Sequence, residues 1–314
     1  MPGPGQLTAV RGTTLRAARA LPPALWQGAL LVLLGSIATW ATWRFFVASA
    51  TGQRLDEAAF SGARIGRRTL WQAAEPVLQI VSVPLLVAVL AVAAVLALAR
   101  RRWVLLLQVG LVVGGANLTT QVLKHAVLER PDLVESISLR ANSLPSGHTT
   151  VAASVAVALV LVVPSSWRPV AAVLGGAYAA TTGVSTLIGA WHRPSDVIAA
   201  FAVVLGWAGA AAAVGALAGP DHPADPPAAS RAVAVLLAAV GLVAGALGGV
   251  GLIRTYWRLG EVAELSSRTD LAAAYVGSAL GVVAAAACLL GVTLMVSDAP
   301  VGSRGRARRG RSER

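Results

Sequence analysis

The segment Asn142-Ser143-Leu144-Pro145-Ser146-Gly147-His148-Thr149-Thr150 places a hydroxyl, a glycine and a histidine where a polar loop turns into the apolar run Val151 to Val163. If that run is a helix, its first turn carries unpaired N–H groups and partial positive charge, which together make an anion site. Gly147 lets a ligand approach the backbone, Ser146 adds a donor, and His148 can move a proton near neutral pH. A plain helix cap is the structural alternative for Pro145-Ser146-Gly147-His148 read alone.

Two further constellations lie on either side. Lys124 is followed by His125 and then Glu129-Arg130-Pro131-Asp132. A cation at a membrane boundary is costly unless it is used, with snorkelling to the headgroups as the structural alternative. Arg130 adds a planar fork suited to phosphate. Downstream runs Ser185-Thr186-Leu187-Ile188-Gly189-Ala190-Trp191-His192-Arg193-Pro194-Ser195-Asp196. Pro194 suits a first helical turn, so a helix is expected to start there. His192 and Asp196 then lie four apart across that start. The carboxylate can hold one ring nitrogen and leave the other as a nucleophile, the orienting logic of a triad. An aspartate cap beside an incidental histidine is the structural alternative.

The elements that must position these residues are membrane helices. The chain is 56% hydrophobic and 13% charged, with mean hydropathy +0.70. Apolar runs near the ~20 residues that a spanning helix requires recur along it. Eight spans are expected, over about 25–47, 77–99, 103–123, 147–164, 169–189, 194–218, 232–253 and 271–296. Continuous hydrophobicity, with no alternation, excludes a membrane β-barrel. The expected fold is an all-α polytopic bundle. Residues 25–218 make a six-span core, 219–231 a Pro-rich linker, and 232–296 two additional helices. Residues 1–24 and the Arg-rich 297–314 flank them. The first span lacks a small-residue cleavage site after a short apolar core and reads as an anchor. Cys288, the single cysteine, sits in an Ala-Val-Leu run and reads as a small core residue. Gly241, Gly245 and Gly249, with Gly277 and Gly281, read as close-packing faces within the bundle. The segment 48–76 reads as amphipathic and irregular, lying on the membrane surface or capping the site.

Charge suggests the orientation. With both termini in the cytoplasm, the inner segments hold 14 Arg and 4 acids, a net of +10. The outer side holds 12 Lys+Arg and 10 acids, a net of +2. That asymmetry obeys the positive-inside tendency and puts the motifs on the outer face. The net charge of +12 is accordingly a topology and anionic-lipid signal, and nucleic acid is not an expected partner.

Together the three constellations resemble the type 2 phosphatidic acid phosphatase superfamily, the lipid phosphate phosphatases. Its signature is a Lys–Arg-Pro motif, a Pro-Ser-Gly-His motif and a Ser-Arg–His–Asp motif in this order. The resemblance covers roughly residues 75–215. It implies His192 as the nucleophile that forms a phosphohistidine and Asp196 as its orienting carboxylate. His148 would protonate the leaving oxygen and then activate water. Lys124, Arg130, Ser146 and Gly147 would hold the phosphoryl oxygens, with Ser185 at the head of the third motif. Neither metal nor other cofactor is implied. Two departures stand out. Five residues, not the usual six, separate Lys124 from Arg130-Pro131. Thr186 also stands where the family carries an arginine, with Arg193 and Arg140 as the cations available to replace it.

The expected function is dephosphorylation of a membrane lipid phosphate or diphosphate, of polyprenyl-carrier or phosphatidate type, at the outer face of the cell membrane. Ala, Val and Arg usage with a single Lys is that of a GC-rich bacterial genome, which favours cell-envelope polyprenyl carriers. Three other readings stand beside it. The gap at Thr186 motivates a non-catalytic lipid-binding member of the fold. A lipid transporter would use polar residues along a midplane path, whereas here they gather at one set of helix ends. A zinc hydrolase is disfavoured by four histidines with no close pair.

Overall fold

The structure, a computed structural model, describes residues 22–80, 87–88, 91–92, 95, 102–134, 142–218, 228–262 and 265–297. Among the described residues the regular structure is entirely helical. In chain order the elements are α1 (Pro23–Val47), α2 (Ala50–Ala63), α3 (Arg67–Ile80), α4 (Trp103–Val127), α5 (Gly147–Val162), α6 (Ser165–Ile188), α7 (Pro194–Ala218), α8 (Ala228–Glu261) and α9 (Arg268–Ser297).

Six of these, α1, α4, α6, α7, α8 and α9, are long and apolar enough to cross a membrane. The chain is thus a polytopic membrane protein. The fourth expected span is the shorter α5, whose 16 residues rise only about 24 Å. The second expected span, 77–99, lies mostly outside the described residues. The expectation that 48–76 is irregular is corrected: it forms α2 and α3. Ser49 begins α2 by accepting from the Gly52 amide at 3.0 Å. Gly52 and Gly62 lie near its two ends. In the fold they are close-contact points, where a Cβ would come within 1.9 Å of Phe45 O and 2.1 Å of Leu271 O.

Lipid offers helices no hydrophobic reward for meeting each other, so close packing must hold the bundle together. The main core joins Val157 and Val160 of α5, Ala172 of α6, Val197 and Val204 of α7, and Leu289, Leu290 and Leu294 of α9. The last helix is therefore built into the same core as the motif-bearing helices. Between α8 and α9 the glycine expectation is met in part. Gly241 lies against Ala284 and Cys288, Gly245 against Ala284, and Gly248 against Gly277 and Gly281. Gly249 instead faces open space, because Gly248 occupies the contact one position earlier. Cys288 is exposed on the bundle surface and is not the core residue expected; its neighbours Ala287 and Leu289 point inward.

The alternation of spans brings the C-terminal ends of α1, α4 and α6 and the N-terminal ends of α5 and α7 to one end of the bundle. All three sequence constellations lie at that end.

Candidate active site

The third constellation is built on a helix stop and a helix start separated by a tight turn. α6 ends in a double capping pattern, in which the amide of Ala190 donates to Leu187 O at 3.0 Å and that of Trp191 to Thr186 O at 3.0 Å. Such a motif needs a left-handed residue after the cap, and Ala190 supplies it with φ 54°. His192 follows at once, its amide also donating to Thr186 O at 3.3 Å. α7 then starts at Pro194, as its position suggested.

His192 is buried and donates from Nδ1 to Asp196 Oδ2 at 3.1 Å. The tautomer follows from the chemistry, because a carboxylate accepts and the ring nitrogen facing it must carry the proton. Nε2 is left with its lone pair. The same Asp196 oxygen accepts from Ser143 Oγ at 2.7 Å and from the Arg193 amide at 3.0 Å. Three donors fix the carboxylate that fixes the ring. Ser143 was quoted in the sequence without a role, and only the fold brings it across to α7.

The second constellation faces this pair. Ser146 caps α5, its Oγ accepting from the Thr149 amide at 3.3 Å, and its own amide donates to Asp196 O at 2.8 Å. That bond ties the starts of α5 and α7 together. Ser146 is fully buried, so it meets a ligand only from within the cap. A Cβ on Gly147 would find nothing nearer than Gln121 Nε2 at 3.7 Å, so a ligand oxygen can approach the backbone there. The His148 ring lies 6.2 Å from that of His192 and 5.2 Å from Trp191.

The cations close the site from the side. Lys124 occupies the last turn of α4, half-buried and within electrostatic reach of Asp196. The Arg130 side chain is 3% exposed, with Nη2 3.8 Å from Asp56 Oδ2, and its Nε and Nη1 are buried without hydrogen-bond partners. Burial and the nearby Arg193 charge pull the Arg130 guanidinium below its usual range. Arg193 donates from Nη2 to Glu57 Oε2 at 2.7 Å and stacks over Phe60 at 4.9 Å. Ser185 is buried in the last turn of α6. Thr186, where the resemblance leads one to expect an arginine, is fully buried and donates to Gly183 O at 2.7 Å. Arg140 lies outside the described residues.

Sequence reasoning missed Asp56 and Glu57. Asp56 is 2% exposed. Its two oxygens accept from the Ser195 amide at 3.1 Å and the Ser195 hydroxyl at 2.5 Å. Burial, with the Asp196 charge adding to it, pushes its pKa up to about 7.

Comparison with known proteins locates this arrangement. Residues 105–218 match the family model of the PAP2 superfamily. The chain is similar to the crystal structure of the first transmembrane PAP2 type phosphatidylglycerolphosphate phosphatase from Bacillus subtilis, with 23% identity and a TM-score of 0.45, over 58% of this chain and 92% of that one. No curated protein matches the chain.

Proposed function

We propose that this chain, whose residues 105–218 match the PAP2 superfamily model, is a metal-independent phosphatase of a membrane lipid phosphate or diphosphate. The family match supports lipid phosphatase activity in general. The observation that carries the finer reading is the His192–Asp196 bond at 3.1 Å with the His148 ring 6.2 Å away. That gap matches a phosphoryl group lying between a nucleophile and a proton donor.

In the first step the His192 Nε2 lone pair attacks phosphorus. The bond from phosphorus to the lipid oxygen breaks, and protonated His148 gives that oxygen its proton. The product is a neutral lipid alcohol, or a lipid monophosphate when the substrate is a diphosphate, with a phosphohistidine left on the enzyme. In the second step neutral His148 takes a proton from water as the water oxygen attacks phosphorus. The N–P bond breaks, inorganic phosphate departs, and both histidines return to their starting states. Asp196 stabilises the imidazolium character that His192 gains on the way. Lys124, Arg130 and Arg193, with the first-turn amides of Gly147 and His148 and the Ser146 hydroxyl, offset the charge on the equatorial oxygens. Arg193 sits beside Arg130 in charge terms and takes over from the cation that Thr186 lacks, while Ser185 supports the turn. Polyprenyl carriers are the preferred substrate class, followed by phosphatidate-type lipids.

Purified protein is expected to release phosphate from such lipids undiminished in EDTA and to be blocked by orthovanadate, which mimics pentacoordinate phosphorus. Activity lost to chelation and restored by a divalent cation refutes the histidine mechanism.

The charge pattern supports an orientation with both termini in the cytoplasm and the active site at the outer face of the cell membrane. Accessibility tags after Arg314 and at Ala224 should then report the cytoplasm, and a tag near Ser138 the opposite side. A cytoplasmic report near Ser138 overturns that orientation.

A further inference from the structure

Helix α2 lies outside the family-matched residues, yet one of its faces touches every loop that carries an active-site arginine. Gln53, Asp56, Glu57 and Phe60 fall at the spacing i, i+3, i+4, i+7, which lines them up on one side of a helix. Gln53 donates from Nε2 to Pro131 O at 2.7 Å and to Val47 O at 2.8 Å, clamping the loop that bears Arg130. Asp56 faces Arg130 and Ser195, Glu57 holds Arg193, and Phe60 underlies the Arg193 guanidinium. The opposite side of α2 is seated by the C-terminal hairpin. Ala58 and Ala59 pack with Ala274 of α9, and Gly62 meets the Leu271 carbonyl.

Each arginine thus has an acidic side chain of α2 at one nitrogen, Glu57 hydrogen-bonded to Arg193 at 2.7 Å and Asp56 facing Arg130 at 3.8 Å. For Arg130 the consequence is visible: Nη2 faces Asp56, while the Nε–Nη1 edge is buried with no partner. Buried N–H donors are seldom left unpaired, and a guanidinium edge matches two oxygens of a phosphoryl group. We propose that α2 is part of the active site, with Asp56 and Glu57 as positioning residues that orient Arg130 and Arg193 toward the phosphoryl group; this rests on the phosphate site proposed above. In this chain, which has Thr186 where an arginine is expected, a fixed pair of guanidinium groups replaces a cation on α6. The C-terminal hairpin acquires a role at the site as well, because α9 is the wall against which α2 is set.

The electrostatics supply a readout that a purely structural role lacks. Asp56 is faced by Asp196 of α7, by Arg130 after α4, by Arg193 before α7, and by the Ser195 hydroxyl. Its folded-state pKa is raised to about 7 from an ordinary value of 3.8. The stability held by its protonated form is fully present below the ordinary value and is lost as pH rises through about 7. A neutral side chain escapes that loss. Asp56→Asn should therefore compare better with the parent in Tm at about pH 8 than at about pH 5, while binding phosphate less well.

The test is calorimetric titration of the full-length protein in detergent with inorganic phosphate. Asp56→Asn should weaken phosphate about tenfold, as expected when the buried acid that faces the arginine is lost. Glu57→Gln, at a half-exposed position, should weaken it about threefold. Ser195→Ala, which removes the other side-chain partner of Asp56 and leaves Arg130 alone, should stay within about twofold. If Asp56→Asn and Glu57→Gln both bind phosphate like the parent, the proposal is wrong. It is equally wrong if Ser195→Ala reproduces the Asp56→Asn loss, since Asp56 would then act only through the start of α7. Should Asp56→Asn not fold, Glu57→Gln decides alone, and unchanged affinity overturns the proposal. A parent that binds phosphate but turns over no phosphoester overturns the catalytic function and not the role of α2. A parent that binds no phosphate overturns both.

Discussion

His192→Ala is expected to abolish turnover of every phosphoester the protein accepts, whatever the leaving group, by at least about 10⁴-fold. The reason is stoichiometric. In the proposed mechanism Nε2 of His192 is the atom to which phosphorus is transferred, its lone pair left available because Asp196 faces Nδ1 at 3.1 Å. Without that atom no covalent intermediate forms, and an activated ester has no route that a lipid ester lacks. Rapid-quench experiments with ³²P-labelled substrate should therefore show no acid-labile phosphoprotein in His192→Ala. The fold should survive, since main-chain bonds to Thr186 and Leu187 hold the turn after α6 and the Ser146–Asp196 main-chain bond ties α5 to α7, none of them involving the imidazole. Asp196→Asn is the informative neighbour. It keeps the shape but removes the negative charge that fixes the tautomer, so phosphoenzyme should form slowly and break down slowly. Phosphoenzyme formed at the parental rate in His192→Ala would show that another group is the nucleophile.

The histidine pair was legible because its geometry is local. Four residues across a helix start bring His192 and Asp196 together whatever the rest of the bundle does, and Pro194 marks that start in the sequence. The all-helical membrane fold was legible for a similar reason, since hydropathy sums over single elements. What was not legible depends on contacts between distant elements. Asp56 and Ser195 are 139 positions apart, and nothing near Asp56 resembles a motif. A signal did exist in the helical spacing of Gln53, Asp56, Glu57 and Phe60. Gly52 and Gly62 flank it, and a glycine that breaks a helix and a glycine that lets a helix touch another backbone look alike in sequence. Cys288 illustrates the same limit on α9, where Ala, Val, Leu and Cys suit the core and the lipid-facing surface equally.

His148→Ala is expected to behave differently from the nucleophile variant, and the difference separates two roles that the sequence assigns only by resemblance. The His148 ring stands 6.2 Å from His192 and 5.2 Å from Trp191, and in the proposed mechanism it moves protons while His192 carries the phosphorus. A proton donor lowers the barrier by roughly 10²–10⁴-fold, and it matters most when the departing oxygen is basic. Loss of His148 should therefore slow release of a lipid alcohol by about that factor. Release of p-nitrophenol, which leaves as a stable anion, should be affected much less. Formation of phosphohistidine from p-nitrophenyl phosphate then continues while its hydrolysis stalls, because the second step needs His148 to take a proton from water. The variant should accumulate acid-labile phosphoprotein after a burst of p-nitrophenol close to one equivalent per active site. Equal losses with both leaving groups, or a burst no larger than that of the parent, would place the proton donor elsewhere. The observed combination would assign the two transfers to two rings: phosphorus to His192, and the proton to His148 across the gap.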